Sequence, residues 1–265
     1  MKLRVDLLPK SSYGDVVVVI DVLRTCTIAP LLFDRGLEAL YMSASIRRAL
    51  HLAEAKDLLL VGERRGLPPE GFNYGNSPQE LLTAPVAGRS AVLVSENAPR
   101  VLEQVAGARH LLLGSLYNAE AVAAHAASLA HDEVALVCSG FAGNEDLDDA
   151  LCAGFLAAQL KRRFGDAELV GATLMSISLF KAFPNPTQAL WRSRAGQYLR
   201  TLALEDDLAT AGLLSASRTV PYLETTFHAE GAPLFRFTAH RVPVPGDQPD
   251  RHDVSAAGVG DACAR

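Results

Sequence analysis

The sequence has few cysteines and no long hydrophobic run, and both shortages narrow the classes of protein it can belong to. Four of its 265 residues are cysteine and no two of them form a C-x-x-C pair, which argues against a structural zinc site. The strongest apolar run, residues 16–20, is far too short to span a bilayer. Arg4 and Asp6 interrupt the apolar stretch that a signal peptide would need. We therefore expect a cytoplasmic protein with no membrane partner.

The sequence also has fewer basic than acidic residues. The chain has 25 Lys and Arg residues against 30 Asp and Glu residues, and the basic residues form no blocks. Such a chain is a poor candidate for holding nucleic acid, so we expect no nucleic-acid partner. Its hydrophobic fraction of 49% and charged fraction of 21% are those of a globular protein, which excludes collagen-like, disordered and coiled-coil classes. Whether the chain forms a homo-oligomer is left open.

Short apolar runs alternate with helical segments along the chain. The predicted strands are residues 16–20, 58–61, 91–94, 110–113 and 134–138, and the predicted helices between and after them include 45–56, 97–106, 117–128 and 147–163. This alternation predicts an α/β fold with a mainly parallel sheet and helices on its faces. Further along, the predicted helices are residues 172–183 and 187–214, and the predicted strands are 219–223 and 234–242. We expect one domain over residues 1–245, more helical over 165–245, and a flexible tail over 246–265.

Several well-known catalytic patterns are missing. The chain has no G-x-x-x-x-G-K-[ST] sequence, no G-x-G-x-x-G after the first predicted strand and no G-x-S-x-G elbow. The D-x-D pattern of haloacid-dehalogenase-type phosphatases fails because Leu23 stands in its third position. No histidine follows the carboxyl end of any of the five strands, so catalysis by a histidine base is not expected.

Polar side chains gather instead behind the predicted strands, where open α/β sheets bind ligands. The residues in question are Asp21, Arg24 and Thr25, then Glu63 and Arg64, then Asn97, and finally Ser139, Gly140 and Asp149. Carboxylates with hydroxyl and amide oxygens suit Mg²⁺, whereas arginines, glycine amides and helix N-termini suit phosphate. Together they indicate metal-assisted phosphoryl chemistry. The alternative is structural, because Asp21 could be a helix cap and Asp149 a first-turn residue favoured by the helix dipole.

The same segments resemble the motifs of the 2-phosphosulfolactate phosphatase family. The stretch D-V-L-R-T-C-T at residues 21–27 is similar to the family's D-V-x-R-A-[ST]-[ST] opening. G-E-R at 62–64 and G-F-N-Y-G-N-S-P at 71–78 resemble its G-E-R and G-F-D-x-G-N-S-P loop. G-S-L-Y-N at 114–118 and L-D-D-A-L-C-A-G at 147–154 resemble its G-S-x-x-N and L-E-D-x-x-C-A-G segments.

This resemblance implies a three-layer α/β/α fold with a mixed sheet, and a magnesium-dependent phosphatase acting on the phosphate ester of a small sulfonated hydroxy acid. Combined with the chemistry behind the strands, it predicts that the Mg²⁺ ligands are Asp21, Glu63 and Asp149, and that Arg24 joins them in catalysis. The predicted substrate-binding residues are Arg24, Thr25, Arg64, Asn76, Ser77, Asn97, Arg100, Ser139 and Gly140. Attack by water and an aspartyl-phosphate at Asp21 are both open.

One loop departs from the family pattern. Where the family has T-x-N-G-T before a basic residue, this chain has Ser95-Glu96-Asn97-Ala98-Pro99 before Arg100. The change leaves two alternatives open: a phosphatase for another small anionic phosphate ester, and a family member that binds anions without turnover. Cys26 lies in the first loop, but no C-x5-R pattern begins there, so we predict a buried thiol rather than a nucleophile.

Overall fold

The fold is known from a computed structural model, which describes residues 1–10, 12–229 and 232–243. Its strands are β1 (Lys2–Asp6), β2 (Val16–Ile20), β3 (Ala39–Ser43), β4 (Leu59–Gly62), β5 (Ser90–Val94), β6 (His110–Gly114), β7 (Glu133–Cys138), β8 (Glu168–Gly171), β9 (Thr219–Ala229) and β10 (Ala232–Arg241). Its helices are α1 (Thr25–Asp34), α2 (Ile46–Lys56), α3 (Pro78–Leu81), α4 (Ala98–Val105), α5 (Ala119–Leu129), α6 (Leu147–Phe164), α7 (Thr173–Ala182), α8 (Pro186–Arg192), α9 (Arg194–Thr201) and α10 (Asp207–Ala211).

All ten strands belong to one mixed sheet in the order β4-β5-β3-β10-β9-β6-β2-β7-β1-β8. The block β4-β5-β3 is parallel, and so is the block β6-β2-β7-β1-β8. The hairpin of β9 and β10 lies between them and pairs antiparallel on both sides. This architecture confirms the predicted three-layer α/β/α class with a mostly parallel, mixed sheet.

Strand β2, inside the sheet, shows why a continuous β-branched run predicts a buried strand. Its sequence Val-Val-Val-Val-Ile is buried along its whole length, because helices cover both faces of the sheet. On one face, Val17 and Val19 belong to the same buried cluster as α1 and as Leu40 and Leu93 of the other parallel block. On the opposite face, residues of α5, α6 and α7 form a second cluster. The two parallel blocks therefore share a core across α1.

Several elements differ from the sequence prediction. Strands β1, β3 and β8 were missed, and the single helix expected over residues 187–214 is three short helices, α8, α9 and α10. Ser193 interrupts it, because its extended backbone ends α8 and its hydroxyl accepts the N–H of Gly196 to begin α9. The tail predicted over residues 246–265 lies outside the described residues. No helix in the described part of the chain is long and apolar enough to cross a membrane.

Candidate active site

A cavity of about 460 Å³ opens where the carboxyl ends of β2, β4 and β5 meet. A hydrogen bond of 2.9 Å from the Thr25 hydroxyl to the Ser95 hydroxyl joins the two parallel blocks beside it. The polar wall includes Asp21, Arg24, Glu63 and Asn76. The opposite wall is largely apolar and comes from the loop after β7 and from α9, with Phe141, Tyr198 and Leu199.

Asp21 is the carboxylate at the centre of the polar wall. It directly follows β2 and is 2% exposed. Its Oδ1 accepts the N–H of Thr25 at 3.2 Å, so it does cap the start of α1. Its Oδ2 has no hydrogen-bond partner among the described residues. Burial raises the pKa of Asp21 to about 6, and the nearby charge of Glu63 adds to the rise, against the hydrogen bonds from Thr25.

Glu63 follows β4 and turns its carboxylate toward the same cavity. One oxygen accepts the N–H of Glu96 at 2.9 Å, and the other accepts the N–H of Gly66 at 2.8 Å. These bonds hold the loops after β4 and β5 together. Each carboxylate oxygen has a second lone pair, so Glu63 keeps the capacity to accept one further bond on either oxygen.

Asp149, in the first turn of α6, has a different environment. Its Oδ1 accepts the N–H of Val22 at 2.8 Å, and its Oδ2 accepts three bonds, from the N–H and hydroxyl of Ser139 and from the N–H of Gly140. It does not line the cavity. Burial and the charge of Asp21 raise its pKa to about 7, opposed by these hydrogen bonds. Its role as a metal ligand stays a prediction, whereas its contacts tie the end of β2 to the end of β7.

Ser139 and Gly140 likewise turn toward Asp149 rather than toward the cavity. The φ of Gly140 is +66°, and a Cβ there would lie 2.2 Å from the carbonyl oxygen of Asn144. Only glycine fits this turn. Both residues were predicted to bind substrate, and that role stays a prediction with no support from their contacts.

Two of the predicted arginines, Arg24 and Arg64, differ in whether they line the cavity. Arg24 lines the cavity, where it is 4% exposed and forms an ion pair of 2.8 Å with Asp207. Arg64 does not line the cavity: it donates to the carboxylate of Glu96 at 3.3 Å and to the carbonyl of Ala44 at 2.8 Å. Its neighbour Arg65 lines the cavity instead. Phosphate binding by Arg64 therefore stays a prediction that the geometry does not favour.

The remaining predicted residues are Asn76, Ser77, Asn97 and Arg100. Asn76 lines the cavity, is 3% exposed, and its Oδ1 has no partner among the described residues. Ser77 caps α3 and also donates its hydroxyl to Asp207. Asn97 occupies the N-cap position of α4 without a capping side-chain bond, and lines the cavity with the exposed Arg100.

Three contributors to the site escaped sequence reasoning: Asp207, Tyr198 and Arg65. Asp207 and Tyr198 belong to α10 and α9, which carry no strand-end signal. Tyr198 donates its hydroxyl to the carbonyl of Arg65 at 2.9 Å, so it links α9 to the loop after β4. The sequence did offer a signal for Arg65, because it is a second arginine directly after the G-E-R motif. Nothing in the sequence indicated which of the two arginines faces the cavity.

The fold and this cavity define an α/β protein that presents carboxylates and a buried arginine at the carboxyl edge of parallel strands. The family description "2-phosphosulpholactate phosphatase" matches residues 2–226. The chain belongs to this family, which confirms the resemblance found in the motifs.

Curated relatives with the name "Probable 2-phosphosulfolactate phosphatase" are similar to this chain along most of their length. The protein from Thermus thermophilus is 40% identical over 226 residues, covering 84% of this chain and 94% of the relative. The protein from Deinococcus radiodurans is 41% identical over 225 residues, covering 84% and 93%. The one from Gloeobacter violaceus is 35% identical over 222 residues, covering 82% and 91%. By name these relatives are phosphoric monoester hydrolases, as the motifs implied.

Proposed function

We propose that this protein hydrolyses the phosphate monoester of a small acidic hydroxy acid, and that its substrate is 2-phospho-3-sulfolactate, converted with water to 3-sulfolactate and phosphate. Family membership and the names of the relatives support the reaction. The observation that carries the proposal is the polar wall itself. There, Asp21 and Asn76 line the same cavity as the buried Arg24, and Asp21 Oδ2 and Asn76 Oδ1 are buried oxygens with no hydrogen-bond partner in the described part of the chain.

Two further cations of the cavity suit a substrate with more than one anionic group, and Glu96 is the remaining carboxylate of its lining. Arg65 and Arg100 line it and are exposed, whereas Arg24 is buried beside Asp21. A phosphate bound at Arg24 would leave the carboxylate and sulfonate of the substrate near the two exposed arginines, where charge-assisted hydrogen bonds form. Phe141 and Tyr198 form a wall on which the short carbon chain can pack.

The residues present fit a magnesium ion, although with a different ligand set from the one predicted. Asp21 Oδ2 is buried and has no partner among the residues that the structure describes, Glu63 keeps free lone pairs, and Asn76 offers an amide oxygen. No group of three or more His, Cys, Asp or Glu side chains within the described residues is arranged to hold a metal. Two carboxylates with an amide and several waters suit Mg²⁺, which gives up its waters reluctantly. Bound there, Mg²⁺ would neutralise charge on the phosphoryl group.

The chain's own residues have separate tasks in this proposal. Arg24 binds and orients the phosphoryl group with the N–H groups that face the cavity. Asp149 holds the main chain at Val22 and thereby fixes the direction of Asp21. Water attack and a phosphorylated Asp21 make the same products, and rapid quenching under turnover separates them, since only the second leaves phosphate on the protein.

A panel of phosphate monoesters tests the proposal. Purified protein is assayed for phosphate release from 2-phosphosulfolactate, 2-phospholactate, glycerol 2-phosphate and 4-nitrophenyl phosphate, each with Mg²⁺ and with a chelator. We expect Mg²⁺-dependent release, fastest from 2-phosphosulfolactate. Fastest release from another ester would replace the substrate and keep the class. No release from any ester, with thermal stabilisation by phosphate or sulfonates, would establish an anion-binding protein without turnover.

A further inference from the structure

Asp207 is a buried carboxylate with two side-chain partners among the described residues: Arg24, which lines the cavity, and Ser77, which directly follows the cavity residue Asn76. It lies at the start of α10 and is 1% exposed. Its Oδ2 accepts from Arg24 Nη1 at 2.8 Å, and its Oδ1 accepts from the hydroxyl of Ser77. The first partner is 183 residues away in the sequence and the second is 130 residues away. Asp207 thus links α10 of the C-terminal lobe to the polar wall.

The contact with Arg24 fixes the plane of its guanidinium. Nη1 donates to Asp207, while Nη2 donates to the carbonyl of Gly66 at 2.7 Å. A guanidinium carries five N–H donors in a rigid fork, so two anchors determine where the other three point. Because Arg24 lines the cavity, those donors are available to an anion bound there.

The contact with Ser77 also restrains Asn76, the residue before it in the loop that leads into α3. Ser77 is the N-cap of α3, and Asn76, which lines the cavity, precedes it with a buried Oδ1 that has no hydrogen-bond partner among the described residues. Holding the Ser77 hydroxyl therefore limits where the Asn76 amide can lie. Asp207 therefore positions Arg24 directly and Asn76 through the main chain.

We infer that Asp207 is a positioning residue for phosphate binding, acting through the orientation it gives to Arg24. The inference rests on the proposed function in one respect, because that function places the phosphate in this cavity. A purely structural role predicts a different outcome, because α10 also docks on α3 through Gln79, whose side-chain amide donates to the Thr210 hydroxyl at 2.8 Å and to the Asp206 carbonyl at 3.2 Å.

A double-mutant cycle read by inorganic phosphate binding tests this inference. Calorimetry gives the Kd for phosphate of the wild type, Asp207→Ala, Arg24→Ala and the double variant. We expect each single change to weaken binding at least about tenfold, through loss of charge-assisted hydrogen bonds. The double variant should be no weaker than Arg24→Ala, within about twofold, because both changes remove the same contribution.

Two further variants protect the test against a folding defect. Asp207→Asn keeps an oxygen for Arg24 and an amide that can donate to Ser77, so it should stay folded and restore phosphate affinity to within about threefold of the wild type. Gln79→Ala breaks the adjacent contact between α3 and α10 without touching Arg24, so it should leave phosphate affinity unchanged. Thermal unfolding midpoints are measured for every variant.

Four results would overturn the inference. These are additive losses in the cycle, an Asp207→Asn variant as weak as Asp207→Ala, a Gln79→Ala variant that loses affinity as Asp207→Ala does, and a wild type that binds no phosphate. Phosphate binding that follows the cycle in a protein without phosphatase activity would refute the proposed function and leave the role of Asp207 standing.

Discussion

Replacing Asp21 with Asn should remove activity and, above neutral pH, stabilise the protein. Asp21 is buried, and its pKa of about 6 lies above the ordinary 3.8. Between these two values the folded state binds more protons than the unfolded state, so stability contributed by this group falls as the pH rises from about 4 to about 6. An Asn side chain escapes this loss because it carries no charge, and its oxygen still accepts the N–H of Thr25.

The size of the effect follows from the shift in pKa. The difference between 6 and 3.8 is roughly two units at about 1.4 kcal/mol each, or about 3 kcal/mol at pH 8. In a domain of this size that corresponds to a rise of roughly 5–10 °C in the unfolding midpoint. At pH 4 the two proteins should differ little. The rate of phosphate release should fall about a hundredfold or more, since the proposed metal ligand or nucleophile loses its charge.

Calorimetric unfolding in the presence of a chelator, at pH 4, 6 and 8, measures this prediction. Asp15→Asn is the matched control, because the sign is reversed there. Burial alone would raise the pKa of Asp15, but the N–H groups of Asp132, Glu133 and His131 lower it. Asp15→Asn should therefore destabilise the protein by the same amount at pH 8 and pH 6, and the loss should shrink only as the pH falls toward and below the ordinary value of 3.8. A stability difference between wild type and Asp21→Asn that does not change with pH, or an Asp21→Asn protein with full activity, would contradict this prediction.

Three other changes have definite expected outcomes. Asp149→Ala leaves buried hydrogen-bond donors without an acceptor, at about 1–3 kcal/mol each, so chemical denaturation should show a loss of several kcal/mol and kcat should fall. Cys26→Ser should keep most activity in the standard assay, because burial raises the pKa of this fully buried thiol well above its ordinary range. Replacing Arg65 and Arg100 together with Ala should raise KM for 2-phosphosulfolactate more than it lowers kcat; an unchanged KM would remove them from the substrate.

The sequence predicts the sheet wherever burial on both faces leaves an uninterrupted β-branched or aliphatic run. The bounds of β2 agree at both ends, and those of β4 to β7 differ from the predicted bounds by at most one residue at either end. Strand β1 escaped because Lys2, Arg4 and Asp6 break its apolar pattern, although Leu3 and Val5 are fully buried. Strand β8 is at the edge of the sheet and only partly buried, so its residues carry little hydrophobic signal.

The site was predictable to the extent that strand ends carry it. Asp21 and Glu63 follow buried strands, and position alone marks them. Whether Arg64 or Arg65 faces the cavity depends on the direction of the backbone. Arg65 has a φ of +55°, and the turn at this position directs the two side chains apart. Asp207 could not be found, because its importance comes from contacts across more than a hundred residues that only the folded chain creates.

We propose that the cavity around Asp21 hydrolyses 2-phosphosulfolactate. The most direct measurement is the initial rate of inorganic phosphate release from this ester with Mg²⁺, compared between the wild type and the Asp21→Asn protein at equal concentration. We predict saturable release by the wild type and a rate at least about a hundredfold lower in the variant. Equal rates for the two proteins, or no release by a folded wild type, would contradict the account.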